Sequence, residues 1–172
     1  GDLLKSLSGK IIEVLNTDAE GRVILSDALT YALRYKPGLI ADFATLTGAA
    51  HVALGNYCSA LFTNRDALTD PLVRIGRQSG DYVWPLPLWD EYLADIKGIF
   101  GDLTNIAKQD RYGGAIHGAK FLEQFVDQTP LAHIDIAPRM TSVDSEYLAK
   151  GASGVGVRYI VELAKEYPRL NL

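Results

Sequence analysis

Two carboxylates and a cation crowd one short polar stretch, Asn16-Thr17-Asp18-Ala19-Glu20-Gly21-Arg22. Hard divalent cations take carboxylate oxygens, and Asp18 and Glu20 on one tight loop can converge on a metal ion or a metal pair. The same residues also spell a helix start. Thr17 can cap the following helix while Glu20 reaches back to it, and acids in a first turn complement the helix dipole. On spacing alone the capping reading is the commoner one, and the metal reading stays open beside it. Arg22 shifts the balance slightly. A cation in a first helical turn opposes the dipole, so it is better explained if it holds an anion or a carboxylate; the alternative is an ordinary exposed arginine.

Other polar groups carry weaker signals. Thr45-Leu46-Thr47-Gly48 ends an apolar run, where backbone groups can meet a ligand or simply turn the chain. Asp42 and Asp135 fall within expected strands, as ligands or as buried acids paired to a loop. His51, His117 and His133 lack the paired spacing of a zinc-binding helix and read as packing or hydrogen-bonding residues. Ser59 and Ser153 have no nucleophile-elbow pattern, and Cys58 has no activating partner close in sequence. The glycine-rich run 151–156 lacks the lysine of a phosphate loop and follows no strand directly, which argues against a nucleotide site.

The elements that must position these groups alternate. Residues 9–15 form a short β-branched run, a predicted strand. Apolar residues recur at helical spacing from Val23 to Lys36, and Pro37-Gly38 stops that helix. Residues 39–44 read as a buried strand, 45–48 as the loop at its end, and 52–64 as strand and loop. A helix is expected over 71–78, capped by Thr69 or Asp70. Residues 84–89 are too rich in proline for a regular element and read as a packed connector. Gly113-Gly114 opens a helix running through Phe125, residues 131–137 form a strand, and a last helix spans 157–167. Strands alternating with helices predict an α/β fold, a central mixed and largely parallel sheet flanked by helices. Ligands in such sheets sit at the carboxyl ends of strands, which directs attention to 16–22, 45–48 and 137–142.

Composition sets the outer bounds. The chain has 172 residues, 48% hydrophobic and 22% charged, which fits one folded domain or part of one and excludes disorder. Seventeen basic against twenty-one acidic residues leave a net charge of −4, unlike the basic surplus of a general nucleic-acid binder. No apolar run approaches the roughly 18 residues needed to span a bilayer. A single cysteine excludes an internal disulfide framework and suits a reducing, cytoplasmic setting. The single methionine is Met140, so the chain is expected to be part of a longer one.

The heptapeptide 16–22 resembles the signature of the leucyl aminopeptidases, also called cytosol aminopeptidases. Four further blocks resemble that family in its order: 42–49, Tyr112-Gly113-Gly114-Ala115-Ile116, 132–137 and 150–158. The resemblance implies a dinuclear exopeptidase with two zinc or manganese ions that acts on peptides with a free N-terminus and prefers leucine-like residues. It implies Asp18 and Glu20 as metal ligands, and Arg22 as the holder of a bicarbonate that serves as general base. Thr45, Leu46, Thr47, Gly48, Ala137 and Met140 would line the pocket for the substrate's first residue. The family assembles as homo-hexamers. Its metal site also draws on an upstream Lys-x-x-x-x-Asp-Ser-Gly-Gly segment, a further aspartate and a catalytic lysine, none of which occurs in these 172 residues. Residues 1–172 are therefore expected to be the C-terminal portion of a catalytic domain, with part of the metal shell. The alternative is a catalytically inactive fragment or truncated homologue that acts only in subunit assembly.

Overall fold

The computed structural model describes residues 1–108, 112–144, 147–170 and 172. Among them, seven strands divide between two sheets. In the smaller sheet, β1 (Leu3–Lys5) runs antiparallel to β2 (Ile11–Glu13), which pairs in parallel with β6 (Leu103–Thr104). The larger sheet has the order β3-β7-β4-β5, built from β3 (Ile40–Ala44), β7 (Leu131–Asp135), β4 (Ser59–Thr63) and β5 (Val83–Pro85). The β3–β7 and β4–β5 pairings are parallel, and β4 runs antiparallel to β7.

Side chains alternate across a strand, and the larger sheet uses both faces. On one face Leu61, Ala132, Ile134 and Val83 pack against α3 (Asp66–Ser79) and α5 (Val157–Glu166) through Leu68, Leu72, Ile75, Tyr159 and Leu163. On the other, Ala60 and Phe62 meet Ala50 of α2 (Gly48–Leu54) and Ala115 and Ala119 of α4 (Gly114–Glu123). A third cluster joins the sheets: Leu29 of α1 (Glu20–Ala32) packs with Ile12, Leu103, Phe121 and Phe125. Each fully buried Leu, Ile, Val or Phe among them contributes roughly 1.5–3 kcal/mol against exposure, and each alanine less.

The α/β class and the flanking helices match expectation, with the mixed strands shared between two sheets. Some local expectations do not hold. Residues 52–54 end a helix rather than forming strand or loop. α2 is made of small residues that give no apolar period, and it forms because the Thr47 hydroxyl accepts the Ala50 N–H at 3.1 Å. α3 begins at Asp66, not after Thr69 or Asp70, because its apolar stripe starts at Leu68, a turn before Pro71. Within the proline-rich connector, Val83–Pro85 add an edge strand to β4, where a proline costs no ladder bond, while Trp84 and Trp89 are exposed rather than packed.

Two acids, Asp81 buried and Asp42 half-buried, hold distant elements. Asp81, before β5, accepts the N–H groups of Gly156 and Tyr159, both at 3.2 Å, and pairs with Arg158. A carboxylate at the N-terminus of α5 satisfies donors that the helix leaves open and complements its dipole. Asp42 lies opposite His133 in the β3–β7 register and takes the ring Nδ1 at 2.7 Å, with His133 stacked on Phe62 of β4.

The His133 pair makes stability depend on pH. Complete burial opposes the imidazolium. The charge and hydrogen bond of Asp42, with the charge of Asp135, outweigh that and the opposing Arg22, so the pKa is raised above the ordinary 6.5. A raised folded value stabilises fully below the unfolded value, and the contribution is lost as pH rises through the folded one. Urea midpoints measured from about pH 6 to about pH 9 should therefore fall with rising pH, and Asp42→Asn should flatten that fall. A midpoint indifferent to pH in the unsubstituted protein would contradict the pairing.

Candidate active site

The carboxylate loop is built from its backbone outward. Asn16, in extended conformation, caps the turn: its side-chain oxygen accepts the Asp18 N–H at 2.9 Å. Thr17–Ala19 form a single 3-10 turn that runs directly into α1, whose first residue is Glu20. Thr17 is therefore not the cap that the capping-box reading expected. The reason lies in a residue about ninety positions away. Asn105, fully buried after β6, accepts the N–H groups of Leu15 at 2.8 Å and Asn16 at 3.2 Å. Its amide nitrogen donates to the carbonyls of Asn16 at 2.6 Å and Ala19 at 3.2 Å. Every hydrogen-bonding site of that amide is then engaged.

Glu13 secures the base of this arrangement. Its carboxylate accepts the Gly101 N–H at 2.6 Å and that of Phe100, and its own carbonyl accepts the Asn105 N–H at 3.0 Å. The amides of Gly101, Phe100 and Ile99 and the charge of Lys108 outweigh burial and lower its pKa below the usual carboxylate range.

The second loop hangs on Asp135, the fully buried last residue of β7. Its carboxylate accepts the Thr47 hydroxyl at 2.7 Å, the Leu46 N–H at 3.1 Å and the Ala137 N–H at 3.2 Å. Asp135 is thus a buried acid paired to a loop, whereas Asp42, half-buried, pairs with a histidine through one oxygen and leaves the other without a hydrogen bond.

A cleft of about 250 Å³ opens where these segments meet. Asp18, Arg22, Leu46, Thr47, Gly48 and His117 are among the residues that line it. Arg22 is 7% exposed in the first turn of α1, so its cation and the free N–H groups of the helix start lie together at this wall. Glu20 is exposed on the same turn and Thr45 is exposed just before Leu46. Ala137 is buried and Met140 exposed, around the single turn Ala137–Arg139 that follows β7. None of these four residues lines the cleft, and Ala137 is linked to the Leu46–Thr47 loop through Asp135. His117 places its Nε2 3.0 Å from Asp95, and neither His117 nor Asn105 was singled out by sequence as part of a site. Each earns its place through a partner far away in the chain, so no local pattern marks it.

A larger cavity, about 1440 Å³, is lined by residues from Leu61 to Asp66 and from Pro85 to Glu91. It adjoins the C-terminal end of β4, hence the opposite end of the antiparallel β7 from Asp135. The smaller cleft stands where the parallel pair β3–β7 ends, the position at which such sheets bind ligands.

The donors present suit a divalent cation in kind: Asp18 and Glu20 offer exposed carboxylate oxygens two residues apart. They are incomplete in number, since among the described residues no group of three or more His, Cys, Asp or Glu side chains is placed to hold a metal ion.

Asn105→Ala should cost about 3 kcal/mol in urea unfolding, because four part-buried hydrogen bonds to Leu15, Asn16 and Ala19 are lost. Asn105→Asp, which keeps the acceptors and loses both donors, should still cost at least about 1 kcal/mol. A loss below about 0.5 kcal/mol for both would show that the loop is held by other contacts.

Comparison with known proteins bears on the family and the fold. The profile described as "Cytosol aminopeptidase family, catalytic domain" matches residues 1–161. The chain is 50% identical over 169 residues to the "Probable cytosol aminopeptidase" of Roseiflexus castenholzii, covering 97% of this chain and 34% of that protein. It is 47% identical over 174 residues to the protein of the same name from Syntrophobacter fumaroxidans, covering 100% and 34%. A solved mutant of tomato leucine aminopeptidase superposes with a TM-score of 0.86 at 42% identity, over 94% of this chain and 31% of that one. The chain spans about a third of the length of the curated relatives it matches. No helix of the described residues is long and apolar enough to cross a membrane. This chain belongs to the cytosol aminopeptidase family, within its catalytic domain.

Proposed function

We propose that these residues form the cleft-bearing part of a metal-dependent aminopeptidase that releases N-terminal, leucine-like amino acids from peptides in the cytosol. The observation that carries the reading is the shared cleft. One carboxylate of the heptapeptide, its arginine and the Leu46–Gly48 segment converge on a single space although they come from two strand ends.

Asp18 and Glu20 would supply two of the side-chain ligands for two zinc or manganese ions. When bound, such ions polarise a carbonyl and make a water molecule acidic enough to attack it. Arg22 would hold a bicarbonate as the general base, with the first-turn N–H groups of α1 adding to its attraction for an anion. Thr45 to Gly48 would present backbone groups to the peptide, with Ala137 and Met140 bordering the side chain of its first residue. Asp135 would keep the Leu46 and Ala137 amides in fixed relation, so both borders of that pocket move together. The longer protein would work as a homo-oligomer, a hexamer by the resemblance.

The partial donor set favours a second statement: the 172 residues alone bind metal weakly and turn over no peptide. A longer parent chain and the 172-residue chain should be assayed side by side on a leucine chromogenic amide with added Mn²⁺, and titrated calorimetrically with Mn²⁺ or Zn²⁺. The parent should cleave the amide, and Asp18→Ala or Glu20→Ala should lower its kcat/KM by at least about a hundredfold. The short chain should show weak binding that Asp18→Ala abolishes. A parent that assembles but cleaves nothing with either metal would replace this reading with one of subunit assembly alone.

A further inference from the structure

Helix α4 meets the loop of the candidate site at two glycines one turn apart, Gly114 and Gly118, on a shared face. A Cβ at Gly114 would stand 3.1 Å from the Ala49 Cβ. A Cβ at Gly118 would stand 3.1 Å from Leu46 Cδ2, 3.1 Å from Thr47 Cγ2 and 3.3 Å from an Nη of Arg22. Three residues of the cleft, from two separate segments, therefore rest on α4 at Gly118, where the helix carries no side chain. Contacts that close lie inside the usual carbon separation of about 3.5–4.0 Å, so an added methyl forces its neighbours to move.

The three neighbours cannot yield freely. The Thr47 hydroxyl is held by Asp135 at 2.7 Å and by the Ala50 N–H at 3.1 Å, which fixes the direction of its methyl group. Leu46 is half-buried against the cluster around Phe121, and its N–H is bound to Asp135. Arg22 is buried at the cleft wall. Glycine is also among the poorest residues inside a helix, so helix formation gives no reason for one at this position.

We propose that Gly118 is a positioning residue: its missing side chain seats Leu46, Thr47 and Arg22, and so sets which substrate side chain the cleft accepts. The seat follows from the contacts alone; the substrate part rests on the aminopeptidase reading above.

The test is Gly118→Ala in the parent chain, with Thr47→Ser as a second-site partner. Thr47→Ser deletes the methyl that the new Cβ meets and keeps the hydroxyl that Asp135 holds. Gly118→Ala should still fold, with a Tm lowered by only a few degrees, since alanine's better fit to a helix offsets part of the overpacking. Hydrogen exchange at the Leu46 and Ala50 amides should nevertheless quicken by about tenfold. The ratio of kcat/KM for leucine and alanine amides should shift by at least about threefold, which a mere loss of folded protein cannot produce. Adding Thr47→Ser should return both readouts toward those of Thr47→Ser alone.

Wild-type exchange and an unchanged ratio in Gly118→Ala would overturn the proposal. So would a Gly118→Ala chain that fails to fold and is not restored by Thr47→Ser. If the unsubstituted parent cleaves neither amide while the exchange changes and their rescue appear, the seat stands and the aminopeptidase reading falls.

Discussion

The candidate site depends first on one buried carboxylate with three donors. Asp135 ends β7 inside the protein, where an unpaired charge would be costly, and it is tolerated because a hydroxyl and two amides surround it. Those donors belong to the chain leaving β3 and to the chain leaving β7 itself. Two loops that would otherwise fray independently are thereby closed onto one another. The Thr47 hydroxyl adds a further link, because it also accepts the Ala50 N–H and so starts α2. Strand end, loop and helix start are one hydrogen-bonded unit.

Asn105 performs the corresponding task on the other side of the cleft with a neutral group. An amide can both donate and accept, which suits a loop that leaves two N–H groups and two carbonyls to satisfy. Glu13 places Asn105 by fixing the turn before β6, so the smaller sheet serves chiefly to present that amide. α4 then closes the cleft between the two loops. Its glycines allow contact on the loop side, while its Ala115 and Ala119 face the larger sheet.

Much of this was legible in the residues. The strands at 11–13, 40–44 and 131–135 and the helices beginning at Gly114 and Val157 fall within the expected segments, because β-branched runs, apolar periods and glycine or proline stops are local signals. α2 was missed since seven mostly small residues show no amphipathic period and its cap belongs to a threonine that also serves a distant acid. The heptapeptide stood out as a candidate through its crowded charges and its resemblance, and Asp18 and Arg22 line the cleft. The Asn105 amide and the Gly118 contacts were not, for their meaning exists only across separations of roughly seventy to a hundred residues. The acids divided in the same way: sequence placed Asp42 and Asp135 in strands, and only the fold decided that Asp135 takes three donors while Asp42 pairs through one oxygen with His133.

The strand order β3-β7-β4-β5 also dictates a sequence of events during synthesis. Chains emerge from their N-terminal end, so β3, β4 and β5 are all made before the strand that joins them. β3 borders only β7 in the sheet, and β4 meets β3 only through β7. Among the described strands of this sheet, β3 therefore has no partner until residues 131–135 arrive, while β4 can pair only with β5. Unpaired strand edges can capture foreign strands. The last of these four strands to be made is also the one that brings Asp135, so the strand that joins the sheet carries the group that holds the cleft loop. A nascent chain that has not completed its sheet has no pocket to expose.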